Sequence, residues 1–275
     1  ANLNNVHAST IDYGYPSSII VTNTGTSSGT ARLGIYGAAD GTRLRIYTTP
    51  SIPAGGQAIL AVKTLETTTG ITPGSAGNHY VIKAEGTFNG FLQHLVNNIQ
   101  AAVVTDMTTV CELGGVTAST FASPRRSGAV FSTAQSASLS FLRFFNTGTS
   151  AGTVTVTLRD YATGNSLGQW TSPSIPAGAA PQYSIGTLET ALGSGFSKPQ
   201  YYAISVQSGI TGYLQHVLWK PSDGTLTNLS TCNAGVTANT DKLTNVHAST
   251  IDYGYPSSVI VNNTARKDKR LWTEN

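Results

Sequence analysis

Two stretches of the sequence carry the residue types of a serine nucleophile. Gly25-Thr26-Ser27-Ser28-Gly29 and Gly148-Thr149-Ser150-Ala151-Gly152 both fit G-x-S-x-G, the elbow that holds a hydrolase serine above an oxyanion hole at a strand-to-helix turn. Here each stretch joins two strand-like runs and no helix follows. The motif reads as a glycine-rich hairpin loop, and no catalytic residue is assigned. His94 and His216 recur in matched strands, Phe91-Leu-Gln-His-Leu-Val96 and Tyr213-Leu-Gln-His-Val-Leu218. Alternation puts Leu92, His94 and Val96 on one face and Phe91, Gln93 and Leu95 on the other, so both faces are partly apolar. Either a neighbouring domain or subunit covers one face, or the histidine is a hydrogen-bonded core residue. No H-x-H, H-E-x-x-H or C-x-x-C occurs to support a metal site, and His7 and His247 are equally unsupported. No metal and no cofactor is expected.

Cys111 and Cys232 stand one in each of two matched units. Matched atoms in tandem domains lie a domain length apart, whereas a disulfide needs Cα atoms within about 7 Å. Buried free thiols are expected, with intermolecular bridges across a subunit contact as the alternative. Tyr13-Gly14-Tyr15-Pro16 and Tyr253-Gly254-Tyr255-Pro256 cluster aromatics around turn residues. Such tyrosines stack on sugar rings, anchor a protein interface, or sit on a sheet edge with no partner. The three tryptophans, Trp170, Trp219 and Trp272, share no repeat position, which argues against a repeated carbohydrate platform. Asn228-Leu229-Ser230 and Asn262-Asn263-Thr264 are glycosylation sequons, relevant only in a eukaryotic source.

The elements that position these residues come from a repeat. Asn23-Thr24-Gly25-Thr26-Ser27 returns as Asn146-Thr147-Gly148-Thr149-Ser150, 123 residues on (146 − 23). Pro50 to Gly55 returns at Pro173 to Gly178, and Thr64-Leu65-Glu66-Thr67 at Thr187-Leu188-Glu189-Thr190, both at the same offset. Leu92-Gln93-His94 and Cys111 follow at offsets of 122 (214 − 92) and 121 (232 − 111). The chain therefore holds two homologous units of about 120 residues. A third, partial copy follows: Asn5 to Thr24 and Asn245 to Thr264 differ only at Ile19/Val259 and Thr22/Asn262. The domain reading is residues 1–113, 114–235, a partial repeat of one hairpin at 236–264, and an off-pattern basic tail at 265–275.

Within a unit the period is two. Val154, Val156 and Leu158 alternate with threonines, as do Tyr80, Ile82 and Ala84 with their neighbours. The second unit reads as strands near 128–133, 138–145, 153–159, 166–171, 180–185, 200–207, 212–219 and 225–231. A short helix is expected at 187–192, with a weaker echo at 64–69. Seven or eight short strands in about 120 residues form the pattern of a Greek-key β-sandwich. The fold class expected is all-β.

The order of the landmarks also carries a resemblance. A strand, the Asn-Thr-Gly-Thr-Ser turn, an alternating Thr/Val strand, Ile-Pro-Ala-Gly, Leu-Glu, a Gly-Tyr-Leu-Gln-His strand and Asp-Gly-Thr-Leu-Thr resemble the immunoglobulin-like modules of bacterial extracellular proteins. The resemblance implies two tandem immunoglobulin-like sandwiches and an extracellular or cell-surface location. Composition agrees with that setting: 11% of the 275 residues are charged, 39% are hydrophobic, and the net charge is +3. Sixteen scattered basic residues do not make the dense stripe of a nucleic-acid binder. No apolar run approaches the roughly 18–20 residues of a membrane-spanning helix. A chain beginning at Ala1 without a leader is what signal cleavage leaves, so export is expected.

A lone strand pair buries too little apolar surface to be stable, so the partial repeat needs a partner. Pairing with the opening strands' site on another copy satisfies the backbone and fixes register. The function expected is a structural subunit of an extracellular filament or surface assembly, joined head-to-tail by strand addition or exchange; it is not an enzyme. The assembly residues are Tyr13, Tyr15, Ile19, Val21, Tyr253, Tyr255, Val259, Val261 and Trp272. The alternative is an adhesin or glycan-binding segment of a larger bacterial surface protein, with glycans or a cell surface as partner.

Overall fold

Alternating apolar and polar residues become antiparallel strands throughout the described part of the chain. A computed structural model describes residues 3–10, 14–108, 111–113 and 129–230, with backbone alone at 3–5 and 111–113. The protein is all-β, as expected from the period of two. In chain order the first half holds β1 (Leu3–His7), β2 (Ser17–Asn23), β3 (Arg32–Gly37), β4 (Arg43–Thr48), β5 (Gln57–Ala61), helix α1 (Val62–Thr69), β6 (His79–Glu85), β7 (Gly90–Asn98) and β8 (Val103–Asp106). A short β9 (Cys111–Leu113) leads to the second half. There follow β10 (Val130–Phe131), β11 (Leu139–Asn146), β12 (Val154–Asp160), β13 (Ser166–Thr171), β14 (Gln182–Ser184), helix α2 (Ile185–Leu192), β15 (Tyr201–Ser208), β16 (Gly212–Lys220) and β17 (Thr225–Asn228). All eight strands expected in the second unit are present. The helix expected at 187–192 begins two residues earlier, where the Ser184 hydroxyl accepts the Thr187 N–H at 3.2 Å as an N-cap.

Each half builds two sheets with the same internal order. The first half has β1-β6-β3-β4 and β5-β2-β7-β8; the second has β10-β15-β12-β13 and β14-β11-β16-β17, with β9 also pairing along β16. Alternation sends one face of every sheet inward. Ile19 and Val21 of β2 share one core with Leu33 and Ile35 of β3 and Tyr80 and Ile82 of β6. Leu142 and Phe144 of β11 share another with Val156 and Leu158 of β12 and Tyr202 and Ile204 of β15. Both cores lie within one compact unit, residues 1–232.

The repeated motifs are the joints of this scaffold. Asn23 donates from Nδ2 to the Ser27 and Ile52 carbonyls, each at 2.9 Å, while its Oδ1 accepts the Gly25 N–H. Asn146 does the same to Ser150, Ile175 and Gly148. The Asn-Thr-Gly-Thr-Ser loop is thus stapled to the Ile-Pro-Ala-Gly turn in both halves, and the G-x-S-x-G stretches lie in these inter-strand loops. The Leu-Glu landmark is a second joint. Glu66 accepts from the Tyr80 hydroxyl at 2.8 Å and the Ser9 N–H at 3.0 Å; Glu189 accepts from Tyr202 at 2.9 Å and the Thr133 N–H at 3.0 Å. Each buried carboxylate ties its helix to the segment just after the half's first strand and to the strand that follows the helix. Among the described residues, no helix is long and apolar enough to cross a membrane.

Candidate functional site

The outer face of β1-β6-β3 lies against the outer face of β14-β11-β16, and the seam between them is where unlike side chains collect. At one end it is apolar and tight: Ala38, Val81, Phe145 and Ala180 are buried together, with Tyr36 and Tyr213 against them. There the Ala180 N–H donates to the Ala38 carbonyl at 2.7 Å. A Cβ added at Gly41, whose φ is +72°, would stand 2.0 Å from the Ala177 carbonyl oxygen, so the turn between β3 and β4 approaches the second half closer than any other residue type allows. At the other end the seam is pinned by polar contacts. Trp219 Nε1 donates to the Tyr15 hydroxyl at 2.9 Å, Gln215 Nε2 to the Met107 carbonyl at 2.7 Å, and Thr105 Oγ1 to the Leu226 carbonyl at 2.7 Å.

Between these ends is a cavity of about 260 Å³ whose polar wall is Arg143, His7, His79 and His94, facing Val96, Phe141 and Val217. Arg143 is 4% exposed. Its guanidinium donates to Gln215 Oε1 at 2.8 Å and to Gln182, its Nε has no acceptor, and no described carboxylate pairs with it. Burial lowers its pKa to about 9. The same burial, helped by the charge of Arg143, holds His7 at about 4 and His79 at about 2, and keeps His94 well below its usual value, with His7 adding to the effect there. At neutral pH the three imidazoles are uncharged and Arg143 is the cation of the cavity. Buried N–H groups with one uncompensated positive charge favour an acidic group over a metal cation, and the described residues form no cluster of metal-ligating side chains.

His94 and His216 turn inward as their strands alternate, and each meets a serine: His94 Nε2 lies 3.2 Å from Ser17 Oγ, and His216 Nε2 lies 2.8 Å from Ser140 Oγ. The two serines are 1% and 0% exposed, so the pairs fasten β2 to β7 and β11 to β16 with their hydroxyls sealed from solvent. Both readings open for these strands apply in the second half: His216 is a hydrogen-bonded core residue, and the opposite face, with Tyr213 and Gln215, is covered by the first half.

Among the expected assembly residues, Ile19 and Val21 have no exposure and belong to the first core. Tyr15 is half-buried and engaged with Trp219 across the seam. Cys111 lies in β9, its backbone opposite Leu214. Tyr13, Tyr253, Tyr255, Val259, Val261, Trp272 and Cys232 lie outside the described residues, as does the partial repeat at 236–264 and the tail. Arg143, Gln182 and Trp219 were not anticipated. One signal for Arg143 was available: it interrupts the apolar run Phe141–Phe145 at the position that Ile20 fills in the first unit. No protein-family profile matches the sequence, and no curated protein matches it.

Proposed function

We propose that the protein is a structural subunit of an extracellular filament or surface assembly, with each half an immunoglobulin-like Greek-key β-sandwich and the C-terminal partial repeat joining one copy to the next. The observation that carries this reading is the match between the repeat and what β1 and β2 bury. Among the described residues of 6–23, the buried ones are Val6, Ala8, Ser17, Ile19, Val21 and Asn23; at 246–263 the sequence supplies Val246, Ala248, Ser257, Val259, Val261 and Asn263. Only Ile19 changes, by one methylene, a loss of about 1 kcal/mol at a core position. Residues 245–264 are therefore competent for the sites beside β6, β5 and β7 that β1 and β2 fill, and backbone pairing would fix their register. A head-to-tail contact of this kind propagates into a filament unless its rotation closes a ring.

The described residues of both cores lie between Val6 and Leu214, so a deletion of residues 242–275 keeps all of them. The full chain is expected to form polymers, seen by negative-stain microscopy, that survive dilution to nanomolar concentration, and the deletion is expected to abolish them. Dilution-resistant polymers formed by residues 1–241, or a full chain that stays dispersed, would overturn the proposal.

A further inference from the structure

Each half presents two outer sheet faces and uses one of them in the seam. The first half uses β1-β6-β3-β4 and the edge at Val96 and Thr105, and leaves the outward side of β5-β2-β7-β8; the second uses β14-β11-β16-β17 and leaves β10-β15-β12-β13. Strand register makes the unused faces equivalent, position by position, to the used ones. Arg143 pairs with Gln182 and Gln215, and at the matching places Ile20 pairs with Ile59 and Gln93. Phe145 pairs with Tyr213 where Thr22 pairs with Phe91. On the opposite face His7 pairs with His79 where Phe131 pairs with Tyr201.

We propose that the two unused faces dock on each other between copies of this chain, β5-β2-β7-β8 of one against β10-β15-β12-β13 of the next, in the arrangement that the seam has within one copy. The proposal rests on the reading of the chain as a self-associating subunit and names the surface, but it does not depend on the C-terminal repeat. The side chains have diverged in a correlated way. In the seam, polar meets polar, Arg143 and Gln182 against His7 and His79. At the unused faces the equivalents are apolar on both sides, Ile20 and Ile59 opposite Phe131 and Tyr201. Ile59 is 70% exposed, Phe91 47% and Val104, beside them on the same sheet, 61%. Facing them, Tyr201 is edge-on to Phe131 at 5.1 Å and to Tyr161 at 6.1 Å, an aromatic cluster where the seam has His7, His79 and Ala38. The backbone allows the same approach: Gly41 meets Gly178 in the seam, and their respective equivalents, Gly164 and Gly55, have open space around them. Large apolar side chains gathered in the open on a sheet face mark a recognition surface, and a second copy brings a complementary one built like a homologous partner.

The contact is heterologous, which gives a sharp test. Ile59→Lys spoils one face and Tyr161→Lys the other, both at exposed positions, with circular dichroism confirming that the variants fold. In sedimentation velocity on residues 1–241, which lack the C-terminal repeat and keep the described residues of both cores, the otherwise unaltered sequence is expected to associate reversibly with rising concentration. Each variant alone is expected to associate about tenfold more weakly or less. Mixed, the two variants retain one intact face each and are expected to form one-to-one pairs and nothing larger. Association that persists in residues 1–241 but is lost in the variants supports face docking even where the C-terminal repeat proves irrelevant. Variants that assemble like the wild type, a mixture that forms no pairs, or residues 1–241 that stay monomeric at all concentrations would overturn the proposal.

Discussion

The two halves share a scaffold and differ on their faces. Positions that close the fold are kept: Asn23 and Asn146 staple the loops, Glu66 and Glu189 hold the helices, and His94 and His216 lock paired strands. Positions that point outward have changed: Ile20 against Arg143, Ile59 against Gln182, His7 against Phe131. Changing a buried joint strands its hydrogen-bond partners, whereas an outer face answers only to whatever covers it. The divergence therefore marks which faces have different neighbours.

Lowering the pH should attack the shared joints hardest. Burial depresses His216 to about 3 and keeps His94 far below 6.5. The unfolded chain therefore takes up protons below pH 6.5 that the folded one refuses. Stability is expected to be full above that pH and to fall on acidification through the window from 6.5 towards 3, by about 1.4 kcal/mol per pH unit for each of these histidines. Urea titrations between pH 7 and 4 measure it; a flat profile would show that protonated imidazoles are tolerated in the core. Replacing His7 and His79 by the second half's pair, Phe and Tyr, should flatten the slope, because burial also holds these two below their usual value.

The carboxylate joints come next. Glu66→Leu and Glu189→Leu each leave a buried tyrosine hydroxyl and a backbone N–H without an acceptor, so each is expected to cost about 2–4 kcal/mol in denaturant unfolding. The halves separate in a third measurement. Glu189 also faces Lys198, 2.9 Å away, whereas no described cation pairs with Glu66. Lys198→Met should cost under about 1 kcal/mol, since the ammonium is 44% exposed.

Within the seam the expected effects are smaller. Tyr15→Phe leaves Trp219 Nε1 without its acceptor and should cost about 1 kcal/mol. Arg143→Met removes a buried guanidinium that no carboxylate compensates, so the lost hydrogen bonds and the relieved desolvation nearly cancel; a change under about 1 kcal/mol is expected. A loss of several kcal/mol would show that the cation is balanced by a group not yet identified.

Much of the fold was legible in the residues. Strict alternation at 154–158 and 202–206 needs no tertiary information to be read as strand, because a period of two is a local property of the extended backbone. The Leu-Glu landmark was seen as a repeat but not as a joint, since the tyrosine that donates to each glutamate lies 14 residues on in one half and 13 in the other. The seam was almost wholly hidden. Tyr15 and Trp219 are 204 residues apart and occupy no shared repeat position, so no periodicity could pair them.

By itself, then, the sequence determined the all-β class, the two repeated units and the near-identity of residues 245–264 to residues 5–24, because each is written in the order and spacing of neighbouring residues. Only the tertiary structure decided which faces meet. Outward-pointing side chains obey the same alternation whether they end in solvent or against another sheet, and the difference between Ile59 at 70% exposure and Arg143 at 4% arises from packing between distant strands.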